Sequence, residues 1–239
     1  AFETWTEESF TLSPIIPILE PAKGDSLASH ALNGDILRAL ATHSRFVQRI
    51  RRRYVDHLTS LPPGTPDRES MSMALQALQI SYPELADRLR VLRQLVMERL
   101  VVLDTEYHAP LHTITQSMTW LAEFCLDQAL QEALARVDQR HGAPQTAQGK
   151  RAELWVIGMG KLGAAELNVS SDIDLVYVFD EDGQTLGIEG GLGVVNNHSY
   201  FDKVVKQLFQ LIGATTEHGQ VFRMDLALRP NGESGPSVV

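Results

Sequence analysis

The spacing of apolar side chains changes character partway along the chain. Pro14, Pro17 and Pro21 break up the first thirty or so residues, which read as a loop. After Asn33-Gly34, Ile36, Leu37, Leu40, Phe46, Val47 and Ile50 recur at spacings near three and four, the mark of a helix with one buried face. Leu58 to Asp67, "LTSLPPGTPD", reads as a loop. Leu85, Leu89, Leu92, Val96 and Leu100 then form a long stripe, with Arg88, Arg93 and Glu98 off it and Pro83 ahead of it, as suits a first turn. Beyond Pro110, Thr113 and Gln116 have capping-box spacing, and a helix is predicted through Trp120, Phe124, Leu130 and Leu134 towards Val137.

Arg140 to Lys150, "RHGAPQTAQGK", is a linker by composition, and past it the period shortens. Leu154–Ile157 is a short apolar run with strand character, and Ile173–Phe179 is β-branched and aromatic, a second strand. Phe201–Gly213 is an amphipathic helix. "QVFRMDLALRP" alternates, with Val221, Arg223, Asp225 and Ala227 on one side and Phe222, Met224, Leu226 and Leu228 on the other. The expected organisation is α+β: a helical region over 1–140, a linker over 141–152 and an α+β domain over 153–239. The start at Ala1 and the strand-like entry "SGPSVV" at the end lead us to expect a piece of a longer protein, cut within that last domain.

Composition narrows the function. The 239 residues are 44% hydrophobic and 21% charged, as in a packed globular protein. A formal net charge of −9 argues against a protein that coats nucleic acid, because such binding relies on Lys and Arg neutralising phosphates. It leaves room for a nucleotide held by a few local groups and metal ions. The single cysteine, Cys125, allows neither an internal disulfide nor a Cys-based zinc site and reads as a small buried side chain. No apolar run approaches a membrane span and no signal peptide is visible, so the cytoplasm is the expected location and no membrane partner is expected.

The chemistry gathers in "ELWVIGMGKLGAAELNVSSDIDLVYVFDED", Glu153 to Asp182. Its G-M-G-K-L-G matches the dinucleotide fingerprint, with Asp180 near the place of a ribose-binding acid. That reading needs a helix of three or four turns, whereas Lys161 to Leu167 allows about two at 3.6 residues per turn. It also leaves Asp172 and Asp174 idle at the head of a strand that should be apolar on both faces. Taken instead as the point of the motif, these carboxylates project together from one strand face and suit one or two Mg²⁺ ions, or Mn²⁺. Two metals can align an attacking and a leaving oxygen across a phosphorus. The turn from Gly158 through Gly160 and Lys161 to Gly163 then offers N–H groups to phosphate oxygens. Asp225, between Met224 and Leu226, supplies a third acid on a neighbouring strand.

A glycine turn, an S-D-x-D-L strand head and a later apolar-Asp-apolar strand together resemble the nucleotidyltransferase superfamily that includes the β-type DNA polymerases. The tracts "GMGKLGAAELNVSSDIDLVYVFDEDG" and "VFRMDLALRPNGESGPSVV" are more specific. They resemble the glutamine synthetase adenylyltransferase and adenylyl-removing family, closely from about Leu154 to Val239 and in layout only before that. The resemblance implies a DNA polymerase β-like domain with a small mixed sheet. It implies Asp172, Asp174 and Asp225 as catalytic metal ligands, glutamine synthetase and the signalling protein PII as partners, and phosphate, ADP or ATP as small ligands. That family carries two such domains. One removes AMP from a tyrosine of glutamine synthetase by phosphorolysis, and the other attaches AMP from ATP. The E-L-N-x-S-S-D-I-D form and Val221-Phe222-Arg223 ahead of Met224-Asp225 resemble the removing domain.

The expectation is therefore metal-dependent phosphorolysis of adenylylated glutamine synthetase. The alternatives are the ATP-using half and a non-catalytic module that binds PII or a nucleotide. Arg229 is expected to meet a substrate phosphate; Lys161 either does so or sits at a helix start; Ser171 is counted with the phosphate-binding residues, its hydroxyl either bonding a carboxylate or capping a turn. Two positions depart from the family pattern. Ala164-Ala165 stands where Gly-Gly is usual, a change expected to be mild inside a helix. Ala227 stands where Arg is usual, removing a positive charge from the strand face of Asp225.

Overall fold

A computed structural model of the chain describes Ala41, residues 44–225 and Val238, with the main chain alone at Asp225. The apolar positions 36–40, Ala227 and Arg229 lie outside the described residues. Helix α1 (Arg45–Arg53) buries Val47 and Ile50, and Ser44 Oγ accepts the Val47 N–H at 3.3 Å as its cap. A 3₁₀ turn (Val55–Ser60) leads to α2 (Arg68–Ala77), to which the sequence reading assigns no helix. Its signal is local: Asp67 and Ser70 form a reciprocal capping box, and Met71, Ala74 and Leu75 make a short buried face.

The two long helices are α3 (Leu85–Thr105) and α4 (Leu111–His141). The predicted stripe of α3 is buried from Leu89 to Leu100, with Leu85 partly buried; Glu98, expected off it, is buried and accepts from Arg51 Nε at 2.6 Å, and Pro83 lies just ahead of the cap residue Glu84. Helix α4 starts earlier than Thr113 and Gln116 imply. Pro110, whose ring presets φ, is itself the cap, its carbonyl accepts the Thr113 N–H at 2.9 Å, and no side chain caps the end. The helix runs on to His141, beyond the predicted Val137. Cys125 is fully buried on α4, and burial pushes its thiol up to about 12, so it stays protonated and inert near neutral pH.

Within the stretch expected as a linker, strand β1 (Pro144–Gln145) pairs antiparallel with β4 (Gln184–Thr185). The main sheet is mixed. Strand β2 (Leu154–Gly158) runs antiparallel to β3 (Ile173–Phe179), and β3 runs parallel to β5 (Met224–Asp225). Helix α6 (Asn197–Ile212) packs on α4 and on the sheet, and Asn196 Oδ1 caps it by accepting the Ser199 N–H at 2.7 Å. The architecture is α+β, as read from the sequence. Among the described residues no helix is long and apolar enough to cross a membrane.

The path from α6 to β5 rests on Arg90 of α3, which is fully buried. Its guanidinium donates to the carbonyls of Ala86 (2.6 Å), Leu211 (2.9 Å), Gly219 (3.0 Å), Gln210 (3.3 Å) and Ala214. Those of Gln210, Leu211, Ala214 and Gly219 are main-chain groups that the end of α6 and the following turn leave without helical partners. A cation there also meets the negative end of the helix dipole. Desolvation pulls the guanidinium pKa down from its ordinary value, though a neighbouring Asp87 opposes this, and an arginine keeps its charge regardless. Val221 and Phe222 then both turn inwards, their N–H groups donating to Ile212 O at 3.0 and 3.4 Å. The predicted alternation across this segment therefore fails at its start: the chain is still closing off α6, and the described strand is Met224–Asp225.

Between β2 and β3, helix α5 (Gly160–Gly163) is a single turn, shorter still than the roughly two turns that Lys161 to Leu167 allows. Ala164 is its C-cap and Ala165 has φ +57°. The Ala165 N–H donates to Leu162 O at 3.1 Å and the Glu166 N–H to Lys161 O at 2.8 Å, the two bonds of a Schellman ending. Ala165 thus occupies the left-handed position where glycine is usual. The replacement is not mild, as expected of a residue inside a helix, but strained.

Two stability effects are expected. Replacing Arg90 by Met leaves several buried carbonyls without donors and should destabilise the fold by about 2–4 kcal/mol. A urea-unfolding midpoint unchanged from the parent chain would show that these bonds do not hold α6. Ala165→Gly should stabilise by roughly 0.5–1 kcal/mol, since relief of left-handed strain outweighs the added freedom of the unfolded chain. A lower midpoint for Ala165→Gly would contradict the assigned backbone.

Candidate active site

A cleft of about 430 Å³ opens at the head of β3, lined by Gly160, Lys161, Asn168, Ser170, Ser171, Asp172 and Asp174. Each lining group has a local reason for its place. Strand β2 ends at Gly158, and the Met159 N–H extends the antiparallel pairing by one position, donating to Asp174 O at 2.8 Å, so the turn that follows begins beside the carboxylate-bearing residue. Gly160 has φ +54°, and a Cβ there would sit 3.1 Å from Asp174 Oδ2. A side chain would be both strained and pressed against the carboxylate. Gly163 is needed for another reason, since a Cβ on it would meet Gly158 O at 2.5 Å. Gly158 and Gly163 therefore pack the turn closed against each other, while Gly160 and Lys161 face the cleft.

The loop from α5 to β3 is organised by Asn168, which the sequence reading passes over. Its Oδ1 accepts from the Ser170 N–H (3.1 Å), Ser170 Oγ (3.2 Å) and Ser171 Oγ (2.8 Å). The signal was available in the Asn-x-Ser-Ser spacing, because Asn side chains commonly bond the main chain two residues on. The Ser171 hydroxyl thus bonds the Asn168 side chain in the turn, one of the two places expected for it. Leu167, fully buried just before Asn168, anchors the loop to α4 by donating its N–H to Thr119 Oγ1 at 3.3 Å.

Asp172 precedes β3 and Asp174 is its second residue, so the two project from one face. The opposite face, with Ile173, Leu175 and Tyr177, is buried in the core. The two half-exposed carboxylates are not treated alike. Asp172 forms an ion pair with Arg223, the residue just before β5. The hydrogen bond and charge of Asp172 raise the Arg223 pKa. Asp174 has no side-chain partner among the described residues. The Ile173 N–H donates to Arg223 O at 3.0 Å, and the parallel register sets Asp174 level with Asp225. Among the described residues no group of three His, Cys, Asp or Glu side chains is gathered as a metal cage. The structure thus brings Gly160, Lys161, Ser171, Asp172 and Asp174 to one cleft and the main chain of Asp225 beside it.

The dinucleotide reading fails on topology. Its β-α-β unit needs parallel strands, but Leu154 pairs with Phe179 and Gly158 with Leu175 in antiparallel register. Asp180 lies past the far end of β3 from the cleft, where its Oδ1 accepts the Glu153 N–H at 3.0 Å and closes the β2–β3 ladder. The Gly-rich stretch around "GLGVVNN" is tied to the end of α4, with His141 Nδ1 2.8 Å from Gly193 O and the Leu192 N–H donating to Arg140 O at 2.7 Å.

The chain is similar in sequence to known proteins. The bifunctional glutamine synthetase adenylyltransferase/adenylyl-removing enzyme of Aromatoleum aromaticum is 42% identical over 207 residues, 85% of this chain and 22% of that protein. The enzyme of the same name from Chromobacterium violaceum is 47% identical over 162 residues, 67% of this chain and 18% of that protein. That from Ralstonia nicotianae is 37% identical over 212 residues, 85% of this chain and 22% of that protein. The chain thus spans about a fifth of the length of these curated relatives. The family model described as glutamate-ammonia ligase adenylyltransferase matches residues 35–239. That match takes in the glycine turn, the paired carboxylates and the strand that carries Asp225, and the chain belongs to the glutamate-ammonia ligase adenylyltransferase family.

Proposed function

We propose that this chain is the adenylyl-removing nucleotidyltransferase domain of its family. It would act in the cytoplasm on adenylylated glutamine synthetase, with PII as a regulatory partner. The observation that carries the reading is the pair of carboxylates, Asp172 and Asp174, on one strand face at the mouth of a cleft, with a glycine turn laid over the second. The choice of the removing half rests on the E-L-N-x-S-S-D-I-D form and on Val221-Phe222-Arg223 before Met224-Asp225. The mixed order β2-β3-β5, with acids level on β3 and β5, supports a nucleotidyltransferase-type domain over 153–239.

The donor set fits Mg²⁺ or Mn²⁺. Both ions prefer carboxylate and phosphate oxygens, and Asp172 and Asp174 offer two carboxylates close to solvent, with room left for phosphate. Asp225 is the proposed third ligand from its register position beside Asp174. A bound ion would supply Lewis-acid stabilisation of the charge that develops on the phosphate oxygens and on the leaving phenolate. The chain's own groups do the rest. Asp225 orients the attacking phosphate oxygen. Lys161 and the turn at Gly160 hold phosphate groups in the cleft, and Arg229 is assigned the same role. A phosphate oxygen bonds to the AMP phosphorus as the bond from that phosphorus to the tyrosine oxygen breaks. The products are ADP and a tyrosine phenolate, which takes up a proton from water.

Two experiments test this. Asp174→Asn should lower turnover by more than about a hundredfold, beyond the loss typical of an outer-shell partner. It should keep the fold and raise metal-free stability slightly, as like-charge repulsion with Asp172 falls. Near-normal rates for Asp174→Asn at saturating Mg²⁺ would falsify the metal assignment. With the parent chain, adenylylated glutamine synthetase should release AMP as ADP only when phosphate is added. Radiolabel passing from ATP to unmodified synthetase without phosphate would instead assign the chain to the transferring half. Mg²⁺-dependent nucleotide binding without either reaction would favour a regulatory module.

A further inference from the structure

Arg223 is built as a fixed shoulder with a free arm. Its carbonyl accepts the Ile173 N–H at 3.0 Å, so its main chain is held against the start of β3. Phe222 behind it is buried under the Arg93 guanidinium, whose centre lies 5.6 Å from the ring. The Arg223 side chain is 71% exposed, and its partner among the described residues is Asp172, itself 36% exposed. The contact closes one of the two carboxylates that line the cleft and leaves Asp174 open.

We propose that Arg223 has two stations: it holds Asp172 while the carboxylate pair carries no cation, and it turns to a nucleotide phosphate once a divalent ion takes Asp172. The proposal rests on the reading of Asp172 and Asp174 as cation ligands. Its physical basis is a comparison of strengths. Two carboxylates on one strand face repel, and a guanidinium on one of them relieves the repulsion. An exposed ion pair of this kind is weak, because solvent screens it and two side chains must be ordered to make it. A divalent ion gripped by both acids displaces it. The freed guanidinium is then confined by its fixed main chain to the cleft mouth, where its planar fork matches phosphate oxygens. Arg223 thus exchanges one anion for another at the same mouth, and metal binding and phosphate binding become coupled through it.

The test is a pair of titrations on the parent chain, Arg223→Gln and Arg223→Lys. Free Mn²⁺ is followed by electron paramagnetic resonance, and ADP is then titrated by calorimetry at saturating Mn²⁺. Arg223→Gln should bind Mn²⁺ about two- to fivefold more tightly, the worth of an exposed ion pair that no longer competes. It should bind ADP about tenfold or more weakly, as expected for a lost charged hydrogen bond. Arg223→Lys should restore part of the ADP affinity. A merely structural role would move both affinities the same way or neither. Unchanged or weaker Mn²⁺ binding in Arg223→Gln, with binding lost in Asp174→Asn, overturns the first station and leaves the metal site standing. Unchanged ADP affinity overturns the second. A parent chain that binds no Mn²⁺ removes the carboxylate reading itself, and the exchange with it.

Discussion

A buried guanidinium that bonds main-chain carbonyls ties α3 to the end of α6 and the turn that follows it. Arg90 leaves α3, crosses to the end of α6 and collects oxygens from Leu211, Gln210, Ala214 and Gly219. A helix end and a tight turn present more acceptors than the local backbone can pair, and burying them unpaired would be costly. One planar cation with five donors answers several of them at once. The segment that leaves this turn carries Val221, Phe222 and Arg223 to the edge of β3. The Arg223 carbonyl accepts the Ile173 N–H, and the parallel register sets Asp225 level with Asp174. Arg99 repeats the device further along α3, donating to the carbonyls of Leu61, Pro62 and Gly64 and fixing the approach to α2.

The cleft shows a division between rigid and free parts. The turn over β3 is closed by contacts that leave no room for side chains, between Gly163 and Gly158 and between Gly160 and Asp174. The loop that follows is tied by Asn168 to both serines and through Leu167 to α4. Against this frame the charged groups stand near solvent. Such an arrangement suits chemistry in which a highly charged substrate brings its own phosphates to a prepared pair of acids: the main chain is ordered beforehand, and only side-chain heads need to move.

The glycine motif shows how one pattern serves two folds. A tight turn beside a backbone that must be approached closely asks for glycine whether the next strand runs parallel or antiparallel. What separates the cases is the length of the helix and the direction of the second strand. Here α5 is one turn long, too short to carry the chain back for a parallel crossover, so β3 returns antiparallel beside β2. Asp180 then falls at the far end of the ladder as a partner for the Glu153 N–H.

Periodicity and near neighbours in the chain were enough to settle one part of this molecule. The buried stripe of α3, the β-branched run of β3, the shared face of Asp172 and Asp174 and the inertness of Cys125 all follow from side-chain type and spacing. Helix α2 and the Asn168 turn were also local: α2 rests on its Asp67–Ser70 capping box and a face of only three buried apolar residues, and the Asn168 turn on side chains bonding groups two or three residues away. Only tertiary structure could decide the rest. The pairing of Arg223 with Asp172 spans 51 positions, and nothing in the spacing of either residue points to the other. The inward turn of both Val221 and Phe222 breaks strand alternation because their N–H groups answer a carbonyl at the end of α6. Ala165 reads as an ordinary helix former, and its strain arises because α5 ends there in a left-handed turn. The Arg223 pairing depends on a partner distant in sequence, and the other two on how a helix end closes, which apolar spacing does not encode.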